Sequence, residues 1–274
     1  MKTQTLLEQI GSRRGFFQKL GVATATVTAA TAQTASAPFQ FDNPTQILTA
    51  ALIAEDLATT FYYNALTGPA GQDPKLTEDP LDRNYLRAAL RQEIEHANLL
   101  RSLLGISGPT ADPVQMFYFP RGSFDKLEAE SGPAVLPLLD ALENAFIGAY
   151  LTAVRAFSFM AANTSTNRGV YYKLGNANLS ADQLAYFAQV SASIMGVEAE
   201  HRALGRSIGG MDPANNLCYQ QTAGLDSVFT GAKSAVVALT PFLTPSTGPG
   251  FSLKEALEKS PDLTLPCEFG PPAF

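Results

Sequence analysis

Glu93-Ile94-Glu95-His96 and Glu198-Ala199-Glu200-His201 hold the only two histidines of the chain, and in each a glutamate stands three residues before the histidine. On a helix, residues i and i+3 project from one face a turn apart, so one carboxylate and one imidazole can grip a metal together. The apolar residues that share those faces say the groups point inward. Around Glu93 they are Leu86, Ala89, Leu90, Ala97, Leu100 and Leu104; around Glu198 they are Phe187, Val190, Ile194, Leu204 and Gly205. Two further segments each carry a glutamate inside a similar stripe. Glu55 lies among Leu48, Ala51, Leu52, Ala58 and Tyr62, and Glu143 among Leu136, Leu139, Phe146, Ile147, Tyr150 and Val154. A carboxylate in a core costs several kcal/mol unless it is paired or metal-bound. Four would also repel one another, and bound divalent cations are the simplest compensation.

Start and stop signals predict four long helices around these residues. The first runs from about Pro44 to Leu66, with Asn43 as N-cap and Gly68-Pro69 after it. The second runs from about Pro80 to Leu104, capped by Asp79 and ended by Gly105. The third covers roughly 134–161. The fourth starts at the capping box Ser180-Ala181-Asp182-Gln183 and stops at Gly209-Gly210. Segments 67–79 and 162–179 are short enough to join antiparallel neighbours. Segment 105–133 carries the extended, aromatic Met116-Phe117-Tyr118-Phe119 and has the reach to run the length of a bundle, up to about 90 Å when extended. Two hairpins joined by one long crossover give an all-α four-helix bundle over residues 40–210. The Pro/Gly/Ser-rich segment 211–274 is expected to pack on its outside, with short helices near 222–238 and 252–259.

The order Glu, Glu-x-x-His, Glu, Glu-x-x-His, one set per helix, resembles the di-iron carboxylate pattern of the ferritin-like superfamily. Ala54-Glu55-Asp56 through Tyr62, and Leu142-Glu143-Asn144-Ala145-Phe146-Ile147-Gly148-Ala149-Tyr150, further resemble a branch described as desiccation-related or ferritin-like domain proteins. The resemblance implies six metal ligands: Glu55, Glu93, His96, Glu143, Glu198 and His201. Glu93 and Glu198 would bridge two ions, and Glu55 and Glu143 would be terminal. Mixed carboxylate and imidazole donors suit iron, with manganese as the alternative. Tyr62 and Tyr150 follow Glu55 and Glu143 by seven residues, placed to donate hydrogen bonds to the carboxylates; packing alone would also account for them. Glu95 and Glu200 face away from the bridging positions, to be solvated or paired with Arg91 or Arg202. Asp56 points about 100° around the helix from Glu55 and is the weaker ligand candidate. The competing account of the six is two buried His–Glu hydrogen bonds and two surface glutamates.

The first 37 residues are expected to be an address. Ser12-Arg13-Arg14-Gly15-Phe16-Phe17 resembles a twin-arginine export signal, followed by a weakly apolar stretch and small-residue cleavage sites after Ala32 or Ala37. The protein would then meet the export machinery and work in the periplasm or outside the cell. The net charge of −6, about −9 without that segment, together with the lack of a basic stripe in the sequence, makes the chain a poor candidate for binding nucleic acid or anionic lipid. No apolar run approaches the roughly 20 residues of a membrane span, so no stable membrane insertion of the mature chain is expected. Cys218 and Cys267 are left open as a disulfide pair or free thiols. The resemblance implies redox chemistry of ferrous iron with oxygen or peroxide. It leaves open a structural stress or desiccation bundle and a di-manganese catalase-type enzyme, and it does not fix an oligomeric state.

Overall fold

The computed structural model describes residues 42–125, 135–165, 170–214, 239–245 and 248–265. The predicted signal segment, Cys218, Cys267 and the helix expected near 222–238 lie outside them.

Four helices dominate: α1 (Pro44–Thr67), α2 (Pro80–Leu104), α3 (Val135–Ser165) and α4 (Ala181–Ile208). Local chemistry sets their ends. Asn43 accepts from the Gln46 backbone N–H while the Gln46 side chain accepts from that of Asn43, and Ser180 and Gln183 repeat this box at α4. Asp79 caps α2 through the N–H of Leu81, and Gly105 ends it at φ 70°, a left-handed turn that costs glycine little. The third helix runs about a turn past its expected end, to Ser165.

The helices pair as α1 with α2 and α3 with α4, and apolar clusters fix their directions. At one end Leu57 to Leu66 pack with Leu86, Leu90 and Val135 to Phe146. At the other, Leu48 and Leu52 pack with Ala97, Leu100, Ala153 to Met160, Leu184 and Phe187. Hence α1 runs antiparallel to α2 and α3, and α3 antiparallel to α4. The chain leaves α2 at one end of the bundle and enters α3 at the other, which is the ferritin-like arrangement with its long crossover.

One sequence expectation needs correcting. The stretch Val135–Thr164 is long and apolar enough to cross a membrane by length and composition. Its apolarity has a use inside the bundle, where Leu136, Leu139, Leu142, Phe146, Ile147, Ala156 and Phe157 are all buried.

The crossover is built into the fold by the chain's last described segment. Strand β1 (Met116–Tyr118) pairs antiparallel with β4 (Gly250–Ser252), while β2 (Lys173–Leu174) and β3 (Ala177–Asn178) form a small hairpin between α3 and α4. The short helix α5 (Leu253–Lys259) follows β4 directly, lies against α1 and buries Leu253 and Ala256. Phe119, Phe124, Phe242 and Phe251 cluster with Phe61 of α1 at ring separations of 5.0–6.0 Å. Gly248 lies so close to the crossover that a Cβ there would stand 1.8 Å from the Phe119 carbonyl oxygen. Arg87 of α2 donates to the Leu263 carbonyl, tying the far end down.

Candidate metal centre

Between the two apolar ends lies a buried polar layer, one contribution from each helix. The four glutamates, one per long helix, are 0–2% exposed, and His201 is 2% exposed. Only His96 reaches toward the surface, its side chain 12% exposed.

The six residues meet as two overlapping sets. Glu55, Glu93, His96 and Glu198 bring one donor atom each within 4.8 Å of one another, and so do Glu93, Glu143, Glu198 and His201. Glu93 and Glu198 belong to both, and each turns a different oxygen to each side. Nδ1 of His96 lies 3.4 Å from Oε2 of Glu93, 3.4 Å from Oε1 of Glu198 and 3.2 Å from Oε2 of Glu55. Nδ1 of His201 lies 3.0 Å from Oε1 of Glu93, 3.7 Å from Oε2 of Glu198 and 3.9 Å from Oε1 of Glu143.

These are distances over which charge acts, yet most are not aligned as hydrogen bonds. Among the described residues, both oxygens of Glu93, both of Glu198, Oε2 of Glu143 and Nδ1 of His201 are buried without a hydrogen-bond partner. Native interiors rarely leave such atoms unsatisfied, and here six converge on one spot. Hard carboxylate oxygens with two imidazole nitrogens are the donor set that iron and manganese accept, so the residues present fit a pair of such ions.

A second ring of contacts holds these donors in place. Tyr62 donates to Oε1 of Glu143 at 2.6 Å, and Tyr150 donates to Oε1 of Glu55. The bonds run crosswise between α1 and α3. Seven residues along one helix is about 10.5 Å, too far for a tyrosine to reach the glutamate of its own helix. The ring of Tyr62 also meets that of His201 edge-on at 5.7 Å. Gln92 was not foreseen from sequence: its Oε1 lies 2.8 Å from Nε2 of His201.

Electrostatics describe how the cluster stands without ions. Burial, then repulsion from Glu198 and Glu93, pushes the carboxyls of Glu55 and Glu143 well above the usual range. Burial also pushes Glu93 and Glu198 upward, but the nearby imidazoles outweigh it and hold both below that range. Burial disfavours charge on the imidazoles, yet the surrounding carboxylates win, raising His96 well above its ordinary value and His201 to about 9. Protons on the imidazoles and on Glu55 and Glu143 therefore stand where cations would neutralise the cluster. Burial, reinforced by the glutamates, raises Tyr62 and Tyr150, so both hydroxyls keep the proton they donate.

The weaker candidates separate cleanly. Glu95 turns outward and pairs with Arg91 at 2.6 Å, and Glu200 is exposed. Arg202, an expected partner for Glu200, is buried and donates to Asn144 at 3.0 Å. Asp56 joins neither metal set. It accepts from Nη2 of Arg101 at 2.6 Å, in a separate buried network with Asp112.

The fold and this layer define a class: a helical bundle whose core gathers carboxylates and histidines able to hold metal. Residues 43–168 match the model of a family described as ferritin-like domain, which supports placing the chain in the ferritin-like superfamily. The match takes in α1 to α3; Glu198 and His201 on α4 lie beyond it. No curated protein and no solved structure matches the chain.

Proposed function

We propose that the protein is an exported di-metal carboxylate protein that binds two iron ions and oxidises ferrous iron with oxygen or peroxide. The observation that carries the reading is the convergence of buried, unpartnered carboxylate oxygens on two overlapping ligand sets. Glu55 and His96 would serve one ion, Glu143 and His201 the other, and Glu93 and Glu198 both. When bound, iron supplies the one-electron chemistry that no side chain in the layer can provide.

The chain's part is to position and to exclude. Tyr62 and Tyr150 orient the terminal carboxylates, and Gln92 orients one imidazole. The apolar ends built on Leu57, Leu90, Leu52 and Phe157 keep bulk water from the layer, so charge interactions within it are strong. His96, at the edge of the layer, is the ligand that meets solvent.

The test is oxygen consumption by the full chain supplied with ferrous iron, against His96→Ala and Glu93→Ala. Turnover in the parent and loss in both variants is expected; equal rates in all three would refute the reading. Export is proposed from the arginine pair Arg13-Arg14. Lysines at both positions should leave the precursor in the cytoplasm, and normal export of that variant would remove the proposal.

A further inference from the structure

The two halves of the cluster are alike in ligand type and unlike in support. His201 is enclosed, and its Nε2 faces Oε1 of Gln92 at 2.8 Å. An amide oxygen only accepts, so Nε2 carries the ring proton and donates it. Nδ1, which faces Glu93, Glu143 and Glu198, is then the nitrogen that gives up its proton and offers a lone pair when an ion enters.

Among the described residues, the His96 half shows no such arrangement. His96 is partly open to solvent, and the residue before Glu198, at the position Gln92 occupies before Glu93, is Val197. Valine has no hydrogen-bonding side chain. A ring pinned through its outer nitrogen loses little freedom when an ion binds, and loss of such a partner typically costs about 10–100-fold in metal affinity.

We infer that Gln92 is a positioning residue that makes the two halves inequivalent, so that the Glu143–His201 half takes a divalent ion more tightly than the Glu55–His96 half. The inference rests on the metal-binding reading above and adds to it the order of the two halves and the residue that sets it.

Co2+ titrated anaerobically into the metal-stripped full chain tests it, followed by calorimetry and by the visible absorption of the bound ion. The wild-type protein should fill in two steps, the second weaker by about tenfold or more. His201→Ala should remove the tight step and His96→Ala the weak one. Gln92→Leu should weaken the tight step by about 10–100-fold and leave the weak step in place, while Gln92→Glu, which keeps an acceptor oxygen, should retain both steps. Two equal steps in the wild type, an unchanged tight step in Gln92→Leu, or a Gln92→Glu variant that behaves like Gln92→Leu would overturn the inference and leave the metal reading standing. A wild-type chain that takes up no Co2+ would overturn both.

Discussion

Glu55 and Asp56 are neighbours on α1, both buried, and their charges are met in opposite ways. Asp56 faces a cation that the chain itself supplies. Arg101 reaches it through Nη2 at 2.6 Å, holds Asp112 through Nε at 2.9 and 3.1 Å, and places Nη1 on Asn98 at 2.9 Å. Burial still raises Asp56 to about 8 against the pull of Arg101, with Asp112 adding to the rise. Glu55, one residue earlier, enters a layer of four carboxylates in which, among the described residues, the only ion-pair partners are two histidines. A buried carboxylate that serves structure is given its own arginine. A set of four carboxylates that meets only two histidines as ion-pair partners, with five of its oxygens buried and unpartnered, is able to take cations from outside.

The largest effect should come from removing those cations. Each ion held at a thousandfold excess over its Kd adds about 4 kcal/mol to the folded state, so chelation at neutral pH should lower Tm by many degrees. The difference should narrow with acid. His201 is raised to about 9 in the fold against 6.5 ordinarily, so its stabilisation of the ion-free fold is complete below about 6.5 and is lost as pH rises through 9. The raised Glu55 and Glu143 act in the same direction. Ions show the opposite dependence, because their ligands must shed protons. Melting curves with and without chelator between about pH 5 and 9 should therefore diverge most at the alkaline end. A gap independent of pH would place the ligands elsewhere.

Arg101→Leu should come next. It strands Asp56 and Asp112 without their cation, at a cost of about 3–5 kcal/mol, read as a lower urea midpoint with or without metal. A loss below about 1 kcal/mol would mean that this network is not closed by Arg101.

The smallest effect has the opposite sign. Glu143→Gln keeps an oxygen for Tyr62 and spares the ion-free fold the cost of holding a proton on a buried carboxyl at neutral pH, so that fold should gain on the order of 1 kcal/mol even as metal binding weakens. Destabilisation of the ion-free form would remove Glu143 from the cluster.

The helices and the six clustered residues were legible because each rests on a local signal: a cap, a glycine stop, an apolar stripe of helical period with a glutamate set in it, or a glutamate three residues before a histidine. What escaped depends on distant partners. Gln92 stands next to Glu93 in sequence, yet its significance lies across the bundle at His201, and nothing local marks it. Arg101 meets Asp112 and Asp56 over separations of 11 and 45 residues, so Asp56 read only as a poor ligand. Strand β1 is three residues long and its partner follows α4, too little pattern to announce a pairing. The tyrosines were read as hydrogen-bond donors, but their crosswise reach needs the relative placement of α1 and α3, which periodicity alone does not supply.

The central claim is that the buried layer holds two ions. Elemental analysis of the full chain, reconstituted with ferrous iron under anaerobic conditions and freed of unbound metal, tests it most directly. The account predicts two irons per chain, with a sharp fall in both His96→Ala and His201→Ala. No bound iron in the parent, or full occupancy in both variants, would contradict it.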